Sequence, residues 1–145
     1  MAKDKLTLCI DFDGTCVKHE YPKVGDDIGA VPVLKRLVAE GHKLILWTMR
    51  CDSGVKSGQF SSGLTDAINW FKENQIQLYS AQRNPTQNAW TQSPKCYAEV
   101  YIDDAALGCP LIYDDVISGV GRAYVDWKAV EKMLEEKGIL TNKSL

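Results

Sequence analysis

The chain has no Cys-x-x-Cys pair, no internal repeat, no low-complexity tract and no long apolar run. Without an apolar stretch long enough to span a bilayer, no membrane partner is expected. The start, Met-Ala-Lys-Asp-Lys, leads straight into a short apolar run, and no signal peptide is expected ahead of it. The five cysteines are an odd number without metal or redox spacing, so reduced thiols in a cytoplasmic protein are the expectation. Cys9 then fills core, and Cys16 reads as a small buried residue beside an acidic motif. Net charge is −2 with signs interspersed, which leaves no large basic field for duplex nucleic acid.

What remains is enough chain for one compact domain: 145 residues. A domain of that size buries about 68–70% of its unfolded surface and needs no staples. Residues 1–145 are accordingly expected to form a single domain. Apolar spacing predicts a helix over 28–40, with Val31, Leu34, Leu37 and Val38 on one face. Pro32 fits only in its first turn, and Gly41 is a stop. Lys43–Trp47 reads as a buried strand. A second helix over about 62–74 carries Leu64, Ile68 and Phe71, with a serine cap at 61 or 62. Ile76–Tyr79 reads as a weak strand and 80–95 as a loop. Tyr97–Ile102 is a strand, Leu111–Tyr113 a short edge strand, and about 126–137 a helix with Trp127, Val130 and Leu134 inward. This alternation predicts an α/β fold: a three-layer α/β/α sandwich with a mostly parallel, Rossmann-like sheet.

Residues 6–15, Leu-Thr-Leu-Cys-Ile-Asp-Phe-Asp-Gly-Thr, carry the most chemistry. A short apolar run ends in two acids one residue apart, followed by a glycine suited to a sharp exit. Asp11 and Asp13 would therefore stand at the carboxyl end of a strand, where open α/β sheets hold ligands. Acids crowded there repel, and a hard divalent cation bound through oxygens is the usual remedy. Thr48, Ser80 and the pair Asp103-Asp104 fall at the other strand tips.

Four segments in order resemble the haloacid dehalogenase superfamily of phosphotransferases: Asp11-Phe12-Asp13-Gly14-Thr15, Leu44–Trp47 followed by Thr48, Lys95, and Tyr101-Ile102-Asp103-Asp104. The match spans residues 6–104. The resemblance implies a Mg²⁺-dependent phosphatase in which Asp11 attacks phosphorus and forms a phosphoaspartate. It implies Asp13 as general acid and then base, with its backbone carbonyl on the metal. Thr48 would donate to a phosphate oxygen; taken alone, it caps the following turn equally well. Lys95 would neutralise phosphate, although it precedes the acidic pair more closely than in many relatives. Of Asp103 and Asp104, one would bind the metal directly and the other stand behind it, with Asp104 favoured as the direct ligand. Asp114-Asp115 matches no motif and reads as loop.

The short connections at 16–27 and 49–94 imply a member without a separate cap domain, open to bulky phosphoesters. Arg50, His19 and Tyr21 are placed to touch a leaving group, and Tyr21 or Trp90 could stack on a base. A phosphorylated small molecule or a nucleic-acid end is the expected substrate. A homo-oligomer, in which a partner subunit closes the site, is the other arrangement. Two rival readings share these residues. A phosphotransferase passes the group to a second substrate after the same first step. A phosphorylatable receiver-type signalling module fits the Asp-x-Asp-Gly-Thr order and the late acidic pair poorly.

Overall fold

The computed structural model describes residues 4–52 and 62–142. Four strands form one parallel sheet: β1 (Thr7–Ile10), β2 (Lys43–Leu46), β3 (Ser80–Ala81) and β4 (Val100–Ile102), in the order β3-β2-β1-β4. Ile10 lies opposite both Leu46 and Ile102, so the three strands end level. The ladder runs one step further through the Asp11 N–H on Ile102 O and the Trp47 N–H on Ile10 O. The chain moves from β1 to β2 and β3 on one side and returns to place β4 on the other. The gap between the tips of β1 and β4 is therefore a topological switch point, the crevice where open α/β sheets bind ligands.

Strand alternation divides the sheet residues between two faces. Leu8, Ile10, Leu44, Leu46 and Ile102 pack under the helices α1 (Ala30–Ala39), α2 (Gly63–Glu73) and α4 (Trp127–Glu136). Each fully buried large aliphatic side chain there contributes about 1.5–3 kcal/mol. Cys9 and Ile45 face the other way, against Cys96, Ala98 and Trp47. Cys96 and Ala98 belong to the segment that follows a 3-10 helix, Pro85–Ala89. The result is an α/β fold with a parallel sheet flanked by helices, of Rossmann-like kind. Among the described residues, no helix is long and apolar enough to cross a membrane.

Helix limits follow local chemistry. Asp27 Oδ1 accepts the Ala30 and Val31 N–H groups and caps α1, and Gly41 ends it at φ 94°. Helix α2 turns Ala67, Trp70 and Phe71 fully to the core, whereas Leu64 and Ile68 pack at its margin. Ser62 stands at its N-terminus without a side-chain cap bond, and Ser61 lies outside the described residues. The expected strand at Ile76–Tyr79 is displaced to Ser80–Ala81. Gln75 adopts φ 58°, and the Ile76 N–H returns to Phe71 O, so buried Ile76 closes the helix end instead of starting a strand. Leu111–Ile112 (β5) joins no edge of the main sheet. It pairs antiparallel with Tyr124–Val125 (β6), and α3 (Asp114–Ser118) lies between them, its acids in the first turn of the helix.

Candidate active site

Phe12 organises the acidic loop. Its ring is fully buried and sits edge-on to Trp70 at 5.6 Å, with Phe71 at 6.3 Å. Its carbonyl accepts the Thr15 and Cys16 N–H groups, which fixes the turn. An apolar residue anchored between two acids holds both at the sheet edge. Gly14 follows at φ 80°, and a Cβ there would lie 2.0 Å from His19 Nε2 and 2.8 Å from Asp104 Oδ2. Only glycine permits this approach of loop, histidine and acid.

Asp11, Asp103 and Asp104 each bring a carboxylate oxygen within 4.8 Å of the others. Thr15, wholly buried, links two of them. Its Oγ1 donates to Asp11 Oδ2 at 2.8 Å, lies 3.2 Å from Asp104 Oδ1 and accepts the Asp104 N–H at 3.0 Å. The Trp127 indole N–H secures the Thr15 carbonyl at 2.6 Å. His19 Nε2 lies 3.1 Å from Asp104 Oδ2, so Asp104 is gripped from two sides. Asp103 Oδ1 accepts the Ala105 N–H. Burial, then the Asp104 carboxyl against it, then Asp103 push the Asp11 carboxyl up to about 8 from an ordinary 3.8; the Thr15 hydroxyl and the Phe12 N–H pull the other way. Three hard oxygen donors gathered at a switch point, one of them resisting ionisation, fit a small divalent cation.

Asp13 stands apart from that group. Arg50 Nε and Nη2 each reach one of its oxygens at 2.8 Å, a bidentate pair. The guanidinium also donates to the carbonyls of Pro22, Lys23 and Gly63 and lies 5.0 Å from the Tyr21 ring. Arg50 is 2% exposed. Its expected contact with a leaving group therefore gives way to a buried structural role, because its donors are already engaged. Tyr21, by contrast, is exposed on the loop that the Val17–Asp27 bridge closes.

Thr48 leaves β2 at the same sheet edge. Its Oγ1 accepts the Arg50 N–H at 3.1 Å, which is the turn-capping arrangement, and its hydroxyl proton stays available to a ligand. Gln82, at φ 66°, clasps the Thr48 backbone from both ends: Oε1 accepts its N–H at 2.8 Å and Nε2 donates to its carbonyl at 2.7 Å. Lys95, expected beside Asp11, lies against Tyr101. Its ammonium lies 5.6 Å from the Tyr101 ring centre and makes no ion pair with the three acids among the described residues. Asp115 pairs with Lys18 at 3.1 Å, outside the site. Thr15 was legible within the motif itself; nothing in the sequence marks Gln82.

The class this defines is a parallel α/β protein with a cluster of three carboxyl groups at its switch point. No family model and no curated protein matches the chain. A solved structure does: a conserved protein coded by a locus of Bacteroides thetaiotaomicron, 32% identical, with a TM-score of 0.69, covering 92% of this chain and 93% of that one. The chain belongs to the family of that conserved protein.

Proposed function

We propose that the protein is a Mg²⁺-dependent phosphohydrolase of the haloacid dehalogenase type, acting through a phosphoaspartate on Asp11. The supporting observation is the meeting of Asp11, Asp103 and Asp104 around Thr15 at the β1–β4 switch point. Asp11, Asp103 and Asp104 would hold the cation, which supplies positive charge against the phosphate oxygens. The Asp11 oxygen attacks phosphorus as the ester oxygen departs. Asp13 would enter with a proton on one oxygen, deliver it to the departing ester oxygen, remain as the carboxylate that Arg50 pairs with, and later take a proton from the attacking water; each of its oxygens keeps a lone pair beside its Arg50 bond. The Thr48 hydroxyl is available to orient a phosphate oxygen. Water attack on phosphorus then breaks the bond to Asp11 and restores the carboxylate. The flap over residues 18–26 is short, which suits an open site and a phosphorylated nucleotide or nucleic-acid end in a cytoplasmic setting.

Turnover of p-nitrophenyl phosphate tests the reading. The wild type should require Mg²⁺ and fall to background in excess chelator. Asp11→Asn should lose at least about 10³-fold in kcat while retaining its circular-dichroism spectrum. Equal turnover by that variant, or full activity in chelator, overturns the mechanism.

A further inference from the structure

The chain carries 19 acids against 17 basic residues, yet residues 74–98 include no Asp or Glu, and their charged residues are Arg83 and Lys95. Part of this stretch, residues 84–97, is a compact loop held from inside by two buried amides. Asn84 Nδ2 donates to Tyr97 O at 2.9 Å, and its Oδ1 accepts both the N–H and the hydroxyl of Thr86. Gln87 Nε2 donates to Ser93 O and Lys95 O, each at 3.0 Å, while its Oε1 accepts the Tyr97 N–H at 2.8 Å. Asn84 and Gln87 are 4% and 6% exposed. Loops packed on their own side chains in this way are pre-ordered, so little entropy is lost when they bind.

The outer side of this loop is aromatic. Trp90 is 65% exposed and Tyr97 44%, their rings edge-to-face at 5.6 Å. Tyr101, 39% exposed, carries the Lys95 ammonium over its ring and fixes Cys96 O with its hydroxyl at 2.5 Å. Tyr101 precedes Asp103 by two residues, about 7 Å along β4. The patch thus leads toward the acidic site. Rigid aromatic faces and a lysine among them suit unpaired bases joined by phosphates: stacking contributes about 1–3 kcal/mol per base, and lysine pairs with the backbone.

We propose that the face formed by Trp90, Tyr97, Tyr101 and Lys95 is a single-stranded nucleic-acid platform that leads a strand end to Asp11. The delivery step rests on the phosphohydrolase reading; the binding step does not. The probe is a fluorescein-labelled twelve-residue oligothymidylate, titrated against the full-length protein at low salt with anisotropy and tryptophan emission as readouts. Wild type should bind saturably with quenched emission, and Trp90→Ala should weaken binding about tenfold or more. Trp90→Ala should also lower kcat/KM about tenfold on a 5′-phosphorylated oligothymidylate, or on its 3′-phosphorylated counterpart, and leave p-nitrophenyl phosphate turnover unchanged. No saturable binding, equal binding by the variant, or preferential capture of an unstructured peptide overturns the platform. Oligonucleotide binding that Trp90→Ala abolishes, in a protein with no phosphatase activity, supports the platform and sinks the catalytic reading alone.

Discussion

Asp11 and Asp13 leave one strand a single residue apart, with Phe12 buried between them. Asp11 meets two other carboxyls and a threonine hydroxyl, while Asp13 meets both arms of a buried guanidinium. The Asp13 side already contains its counter-charge and is complete within the fold. The Asp11 side gathers three carboxyl groups with which, among the described residues, no lysine or arginine forms an ion pair; His19 lies against Asp104. Folding alone satisfies the first; the second calls for a proton or a bound cation. Both arrangements hang on the same turn, so substitutions on each side should move stability in opposite directions.

The largest effect is expected at Arg50. Its guanidinium joins Asp13 to the carbonyls of Pro22, Lys23 and Gly63 and is almost wholly enclosed. Removing the guanidinium leaves the partly buried Asp13 carboxylate and three backbone carbonyls without their donor, so Arg50→Gln should lose about 3 kcal/mol in urea unfolding. Adding Asp13→Asn to it should recover part of that loss, because no orphaned carboxylate then remains. A double variant that loses the sum of the two single changes would show that the pair is not coupled.

These two environments differ in how far the sequence disclosed them. Asp11, Asp13, Gly14 and Thr15 are contiguous, and their geometry follows from a strand end, an apolar anchor and a glycine. The Asp103-Asp104 pair was legible as a second strand tip, although only the parallel register brings it to Asp11. Arg50 meets Asp13 across 37 positions, and no local pattern distinguishes a buried arginine from one facing solvent. Gln82 was hidden for the same reason: its use depends on a left-handed backbone and on Thr48 lying opposite. Lys95 was assigned by order along the chain, yet the loop carrying it is folded around Asn84 and Gln87, which turn it toward Tyr101. The strand placed at Ile76–Tyr79 failed because an apolar run can close a helix as readily as begin a strand.

A smaller effect follows from the Asp11 carboxyl, which sits at about 8 in the fold against 3.8 ordinarily. Between those values the native protein holds a proton that the unfolded chain has released. Without divalent cations, stability should therefore fall as pH rises from about 4 to 8. Mg²⁺ should raise Tm strongly at pH 8.5, where the carboxylate is bare, and little at pH 5, where a proton competes. Thermal unfolding across that range, with Mg²⁺ or with chelator, reads both. A Mg²⁺ shift of equal size at the two pH values would mean that the cation binds away from Asp11.

The smallest effect, and the one that separates the two sides by sign, belongs to Asp104→Asn. An amide is nearly the same size as the carboxylate it replaces. It can still bond to the Thr15 hydroxyl and to His19, so the loop keeps its shape. What disappears is one charge facing Asp11. In chelator at pH 8.5 the variant should be more stable than wild type by about 1–2 kcal/mol, because a like-charge contact has been removed without opening a cavity. With Mg²⁺ the order should reverse, since a neutral oxygen is a weaker ligand than a carboxylate and the variant gains less from the cation. Arg50→Gln should show no such reversal: its loss is internal to the fold and independent of Mg²⁺. A stability ranking of Asp104→Asn that stays the same with and without Mg²⁺ would mean that the repulsion at Asp11 is relieved by something other than a cation.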